Sequence, residues 1–298
     1  MISLVLAAKP RDLGDGFTVG RVLPQMIEHE RRFVGPFVFL DHMGPAGVAE
    51  LAVRPHPHMH LATVTYLFEG EIVHRDSLGS KQTITPGAIN WMCAGRGIVH
   101  SERIAADGRQ HRVHGLQMWV GLPRAAEDSP PFFTHYGADT LPIVDIGSAA
   151  KAAHVRVLGG TAFGVTSPVA LASPLFYADV QLASGARIEV PAGFSERAAY
   201  VIDGSVRCGD VQIAPRTMAM FAPGSAVIEA DAASRLIVLG GEPLDGPRYM
   251  WWNFVSSSGD RIVEAAQRWR DGAFPRVPDD DEHTPAPDGP RFAQDHLT

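Results

Sequence analysis

His56-Pro57-His58 and, further along, His100-Ser101-Glu102 are the residues of this chain best suited to chemistry. Each pair is spaced i, i+2, and side chains two apart on a β-strand point to the same face. Two such strands side by side would aim three imidazoles and one carboxylate at a single point. A mixed nitrogen and oxygen set of that kind suits a first-row ion such as Fe, Mn, Cu, Ni or Zn. On an ion that prefers six ligands, four protein groups leave two positions for water, dioxygen or substrate. The set therefore describes a reactive centre rather than a closed structural one.

The surrounding residues predict the strands that would carry it. Leu61-Ala62-Thr63-Val64-Thr65-Tyr66-Leu67-Phe68 is rich in β-branched and aromatic residues and ends at Glu69-Gly70. Ile72-Val73-His74 reads as its return strand, and Asp76 to Gly79 as a turn. Thr83-Ile84-Thr85 precedes Pro86-Gly87, and Ile89-Asn90-Trp91-Met92-Cys93 leads into Ala94-Gly95-Arg96-Gly97. Short strands punctuated by Gly and Pro indicate a β-sandwich or small barrel. Val64, Trp91 and Met92 are candidate pocket walls, equally readable as plain core. The remaining histidines have simpler expectations. His74, His111, His114 and His135 read as hydrogen-bonded core residues, and His29, His154, His283 and His296 as solvent-facing ones.

The stretch from His56-Pro57-His58 through Thr65-Tyr66-Leu67-Phe68-Glu69-Gly70, His74-Arg75-Asp76-Ser77, Pro86-Gly87, Trp91-Met92 and Ala94-Gly95-Arg96-Gly97-Ile98-Val99-His100-Ser101-Glu102 resembles the signature of the pirins, two-domain members of the cupin superfamily. Gly35-Pro36-Phe37-Val38-Phe39-Leu40-Asp41-His42 and His114-Gly115-Leu116-Gln117-Met118-Trp119-Val120 resemble the segments flanking the pirin metal motif. Gly240-Gly241-Glu242-Pro243-Leu244 and Trp252-Asn253-Phe254-Val255-Ser256-Ser257-Ser258 resemble the second pirin domain. The resemblance implies an all-β chain of two tandem cupin barrels, a bicupin of jelly-roll type, with a short C-terminal helix. It also implies metal ligation by His56, His58, His100 and Glu102, with Fe(II) as the ion and Mn, Cu, Ni, Zn or Co as alternatives. The general cupin pattern has a Glu where Thr63 stands; pirins share that loss, with Glu102 supplying the carboxylate. His60 stands where pirins usually carry a small residue. By the i, i+2 rule it should share a face with His56 and His58, as a fifth ligand, a group behind the ligands or a pocket-lining imidazole, the last being the simplest expectation.

Length and composition fit this picture. A chain of 298 residues suggests two domains, expected at 1–134 with the metal site and 135–298 without it. The 30 Gly and 23 Pro suit a turn-rich β protein. A formal charge of −7 with no basic stripe argues against direct nucleic-acid binding. Cys93 and Cys208 cannot make a disulfide framework, so a reducing cytoplasm is the expected compartment. Met1 to Ala8 lacks a basic leader and reads as a first strand, and no apolar run reaches membrane-spanning length. Ala199-Tyr200-Val201-Ile202-Asp203-Gly204 echoes Thr65-Tyr66-Leu67-Phe68-Glu69-Gly70, while Val190 and Ala192 stand at ligand positions. A second barrel without its metal follows. Asp260 to Arg270 places apolar residues at 262, 265, 266 and 269, a helical face that Ser258 could cap and Gly272 stop. Asp279-Asp280-Asp281-Glu282 reads as a solvated acidic run, or as a tail folded back over the first barrel, as in pirins.

The resemblance implies a quercetin 2,3-dioxygenase type of activity, opening the ring of a flavonol-like substrate with O2, with Glu102 as ligand and general base. The alternative is a non-enzymatic regulatory protein that responds to metal and redox state and acts through a protein partner. No oligomer signal is present, so a monomer is expected.

Overall fold

A computed structural model describes residues 1–12, 18–27, 30–48, 52–104 and 111–290; His29 and His296 lie outside them. The chain is built almost wholly of short antiparallel strands, with one α-helix near its C-terminal end among the described residues. It divides into two compact units that exchange segments. One comprises Met1–Asp12, Val19–His42 and Asp139–Pro243; the other comprises Leu13–Thr18, Met43–Ala138 and Leu244–Thr298. The compact units are thus not the contiguous stretches 1–134 and 135–298. The strand Ile2–Ala7 pairs with Thr217–Phe221, which carries the first residues into the later barrel. The last residues complete the earlier one.

In the unit that holds the histidine motifs, Lys81–Ile84, Ile72–Asp76, Ile98–Arg103 and Ala52–His58 form one four-stranded sheet in that order. A second sheet contains Phe132–Tyr136, Ile89–Cys93, Leu61–Glu69 and His111–Gly121, again as successive neighbours. The β-branched and aromatic residues of Leu61–Glu69 and Ile89–Cys93 suit a pleated surface buried on both faces. Gly95 makes the turn between Ile89–Cys93 and the His100 strand. Its φ is +46°, and a Cβ there would lie 2.0 Å from the Ser129 carbonyl oxygen, so only glycine fits.

The helix Gly259–Arg270 lies in this same unit and buries Ile262, Ala265, Ala266 and Trp269. These pack with Met59, Val99, Phe254, Phe274 and Val277. Ser258 occupies the N-cap position, but its side chain makes no cap hydrogen bond. Asp260 in the first turn and Arg268 and Arg270 in the last complement the helix dipole instead. The acidic run is not uniformly solvated. Asp280 is buried, and its carboxylate accepts from Ser101 Oγ at 2.7 Å and from Arg103 Nη2 at 2.7 Å, which ties the tail to the His100 strand.

In the other unit, the sheet runs from Ile2–Ala7 through Thr217–Phe221, Glu196–Asp203, Ser234–Gly241, Leu175–Leu182 and Ala153–Ala162 to Ile143–Ile146. Four short strands, Arg187–Glu189, Val227–Ala230, Val206–Cys208 and Val211–Ile213, make its partner sheet. Apolar residues from both sheets meet in one core. Cys93 and Cys208 are free thiols. Among the described residues, no helix is long and apolar enough to cross a membrane.

Candidate metal centre

The His-Pro-His strand and the His100 strand lie side by side, antiparallel, with His100 opposite His56 and Ile98 opposite His58. The three rings converge: centroids are 4.4 Å apart for His56 and His100, and 4.9 Å for both His56–His58 and His58–His100. One ligand atom from each lies within 4.8 Å of the others, close enough for all three to reach one ion. All three residues are buried.

The two ring nitrogens of each histidine have different surroundings. Nδ1 of His56 sits 2.8 Å from the Arg54 carbonyl, and Nδ1 of His58 sits 3.1 Å from the Asn253 carbonyl. A carbonyl can only accept, so both Nδ1 atoms carry the hydrogen and both Nε2 atoms present lone pairs. Nε2 of His58 and of His100 are buried with no hydrogen-bond partner. Buried polar atoms of native proteins seldom lack partners. Orphaned imidazole lone pairs that face one another are what a cation would satisfy, so the residues fit a divalent transition ion. Burial also keeps these rings neutral, the form that binds a cation. It holds His56 down to about 4, and His58 and His100 well below the usual imidazole range.

Glu102 is placed differently from its three partners. A register irregularity separates His100 from Glu102 along the His-Pro-His strand, which puts Glu102 opposite Val53 there. On its other side Glu102 pairs with His74. Its carboxylate thus joins a second candidate group, His74, His100 and Glu102, which shares His100 with the first. The Thr65 hydroxyl donates to Glu102 Oε1 at 3.0 Å, and burial pushes the carboxyl above its ordinary pKa. His74, expected to be an ordinary core imidazole, is therefore part of the site. Its Nδ1 is 3.4 Å from His100 Nδ1, its Nε2 is 3.1 Å from Asp76 Oδ2, and its ring stacks on Phe133 at 4.2 Å. Asp76 is fixed in turn by the Leu78 and Ser80 amides, at 2.8 and 3.0 Å. In sequence, the His74-Arg75-Asp76 spacing is the one signal of this arrangement.

His60 does not share the face of His56 and His58. Its strand ends at His58, and His60 has a φ of +60°, which breaks the alternation of side chains. The ring is fully buried, with Nδ1 3.5 Å from Glu127 Oε2, beside a cluster of charges. Glu127 accepts from the Ser257 amide and hydroxyl, both at 2.8 Å, and pairs with Arg248 at 3.3 Å and Arg261 at 3.2 Å. This cluster fastens the hairpin Tyr249–Trp251 and Phe254–Ser256, whose turn includes Asn253, the acceptor for His58.

The walls also differ from expectation. Thr63 pairs with Met92 and Trp119, and Thr65 with Asn90 and Gln117, while Val64 pairs with Trp91 on the opposite face. Because Thr65 reaches Glu102 and the Trp119 ring lies 5.2 Å from that of His58, the site is walled by the Thr65 face. Met92 is on it; Val64 and Trp91 are core on the other side. Sequence reasoning missed Thr65, Gln117, Trp119 and Phe133. His111 and His114 are half-buried, as is His135, whose Nδ1 lies 2.7 Å from Asn90 Oδ1. His154 pairs with Asp145 at 2.7 Å, and exposed His283 stacks on Trp269.

Comparison with known proteins agrees with this architecture. Residues 16–120 match the pirin family and residues 177–275 the pirin C-terminal cupin domain. A pirin-like protein of Caulobacter vibrioides is 48% identical over 299 residues, covering 97% of this chain and 100% of the relative. The crystal structure of a quercetin 2,3-dioxygenase from Acinetobacter baumannii matches with a TM-score of 0.85 at 31% identity, covering 98% of this chain and 96% of that one. A bacterial pirin from Escherichia coli in complex with nickel(II) has the same fold, with a TM-score of 0.61 at 17% identity over 82% of this chain and 100% of that one. With both of its barrels matched and a relative aligned along nearly its whole length, the chain belongs to the pirin family.

Proposed function

We propose that this protein is a metal-dependent dioxygenase of the quercetin 2,3-dioxygenase type, opening the ring of a flavonol-like substrate with O2. The observation that carries the reading is the buried trio of imidazoles, two with carbonyl-fixed Nδ1 atoms and two with unpartnered Nε2 atoms. His56, His58, His100 and Glu102 would hold the cation, with iron(II) the proposed ion. When bound, such an ion supplies Lewis acidity toward a substrate hydroxyl and an electron route to dioxygen.

The protein's own groups do the rest. Glu102, raised by burial and steadied by Thr65, is suited to take the hydroxyl proton of the substrate, since a base nearer neutrality is also a usable acid in the return step. Met92, Trp119 and Phe133 present apolar surface that excludes water and suits a planar aromatic ring. His74, held by Asp76, sits beside both Glu102 and His100 and keeps them in place. The similarity to the Acinetobacter dioxygenase supports the same reading.

The test is anaerobic reconstitution with Fe(II), then oxygen uptake and loss of flavonol absorbance. Both signals should appear in the wild type and vanish in His58→Ala and Glu102→Ala. Turnover that survives those changes refutes the assigned roles. An iron-loaded wild type inert toward flavonols refutes the activity and leaves the regulatory alternative.

A further inference from the structure

The second barrel contains a buried cation of its own. Arg197 lies on the strand Glu196–Asp203 and shares a face with Ala199 and Val201, both part of that unit's apolar core. It is 1% exposed, and it heads the fully buried side chains in volume. Nη2 donates to the Ala222 carbonyl at 2.6 Å, whereas Nε and Nη1 are buried without a hydrogen-bond partner. Among the described residues no carboxylate pairs with it; the adjacent Glu196 instead accepts from the Gly35 amide at 2.5 Å. A guanidinium taken out of water without a counter-charge is strongly unfavourable.

The location has a meaning within the repeat. The offset that superimposes Thr65–Gly70 on Ala199–Gly204 puts Val190 and Ala192 at the positions of His56 and His58, and Arg197 at that of Thr63. Thr63 lies on the face that lines the candidate metal centre of the first barrel. Arg197 therefore places a fixed positive charge in the second barrel's counterpart of that centre. Its neighbours in register are Phe221 on one side and Gly240 on the other, with Phe176 beyond Gly240. The next inward row is Ala219, Ala199, Val238 and Ala178, all small or apolar. Ala192 and Gly193, in the loop leading to Arg197, are exposed, so the chain reaches the surface within five residues of the guanidinium.

We propose that the second barrel is a binding site for a small organic monocarboxylate, anchored by the unpaired nitrogens of Arg197. One fixed cation matches one negative charge, and the Phe and Ala surroundings suit an apolar body rather than a phosphate. The site is independent of the first barrel's chemistry.

Benzoate serves as the probe and benzamide, of the same shape without the charge, as its control. Calorimetric titration of the full-length protein should show saturable benzoate binding, with benzamide weaker by about tenfold or more. Arg197→Met should weaken benzoate by a similar factor, while His58→Ala should leave it unchanged, which separates this site from the first barrel's histidines. In wild type, the Nε–H resonance of Arg197, assigned by its absence in Arg197→Lys, should shift as benzoate saturates. This readout stands even if Arg197→Met fails to fold. Benzoate binding that is absent, matched by benzamide, retained in Arg197→Met, lost in His58→Ala or silent at the Arg197 resonance overturns the proposal.

Discussion

Glu127→Ala should destabilise the unit that holds the histidines more than any surface substitution, and the structure sets the size. Glu127 and Arg248 both have side chains 1% exposed, and their ion pair spans 3.3 Å. Removing one partner of a buried pair costs roughly 3–5 kcal/mol, because the other charge stays buried. Arg248 retains its contacts with the Leu122 carbonyl and the Asp245 carboxylate, which moves the expectation to the lower end, about 3 kcal/mol. Loss of the Arg261 contact adds little, since that guanidinium is 34% exposed and still meets Asp128. At about 2–4 °C per kcal/mol for a unit of this size, the transition should fall by about 6–12 °C. All five tryptophans, Trp91, Trp119, Trp251, Trp252 and Trp269, belong to this unit, so their fluorescence during urea or thermal unfolding reports on it specifically. A loss under about 1 kcal/mol would mean that the Glu127 cluster is not what fastens the Asn253 hairpin.

Three further outcomes follow from the site. Asp76→Asn should lower affinity for zinc or nickel by roughly 10–100-fold in a chelator competition. The Asp76 carboxylate can only accept, so His74 Nε2 carries the hydrogen, His74 Nδ1 accepts from His100 Nδ1–H, and His100 Nε2 is left unprotonated. The amide would keep the Leu78 and Ser80 contacts but turn its NH2 to His74 Nε2 and reverse that chain, and unchanged affinity would dismiss it. The metal-free protein should lose stability as pH falls through the window from 6.5 to about 4, where the unfolded chain takes up protons that buried His56, His58 and His100 do not. Each imidazole contributes at most about 1.4 kcal/mol per pH unit, partly opposed by Glu102, whose raised pKa favours the fold as pH drops; a flat chelated-protein profile over that window would contradict the buried, neutral trio. His60→Gly should leave metal content at the wild-type level, because its ring faces Glu127 rather than the trio, and a marked loss of metal would reinstate it as a ligand.

The strands around the histidines were readable because their sequence carries both period and punctuation. Ile89-Asn90-Trp91-Met92-Cys93 is a strand with the expected ends, and the i, i+2 rule brings His56 and His58 to one point with His100. That rule failed where the backbone departs from the pleat. A left-handed φ at His60 turns that ring away, whereas His100 and Glu102 keep the i, i+2 relation and pair in unbroken register with Asp76 and His74, which is how His74 joins the site; neither the turn nor the pairing is encoded by residue type alone. The walls were misread for a related reason. Val64 and Thr65 are equally strand-forming, and only the pairing with Gln117 and Trp119 shows which face is inward. Long-range exchange was the least legible. Nothing local in Ile2–Ala7 names Thr217–Phe221 as its partner, and nothing in Asp280 announces Ser101 and Arg103.

The exchange of segments constrains how the molecule comes into being. When a ribosome has released His100, the barrel around it still lacks Asn253 to orient His58, the Trp269 helix beneath Met59 and the Asp280 clasp on the His100 strand. A nascent chain therefore exposes His56, His58 and His100 long before their scaffold is finished, and a cation held as proposed would find its site complete only when translation is nearly done.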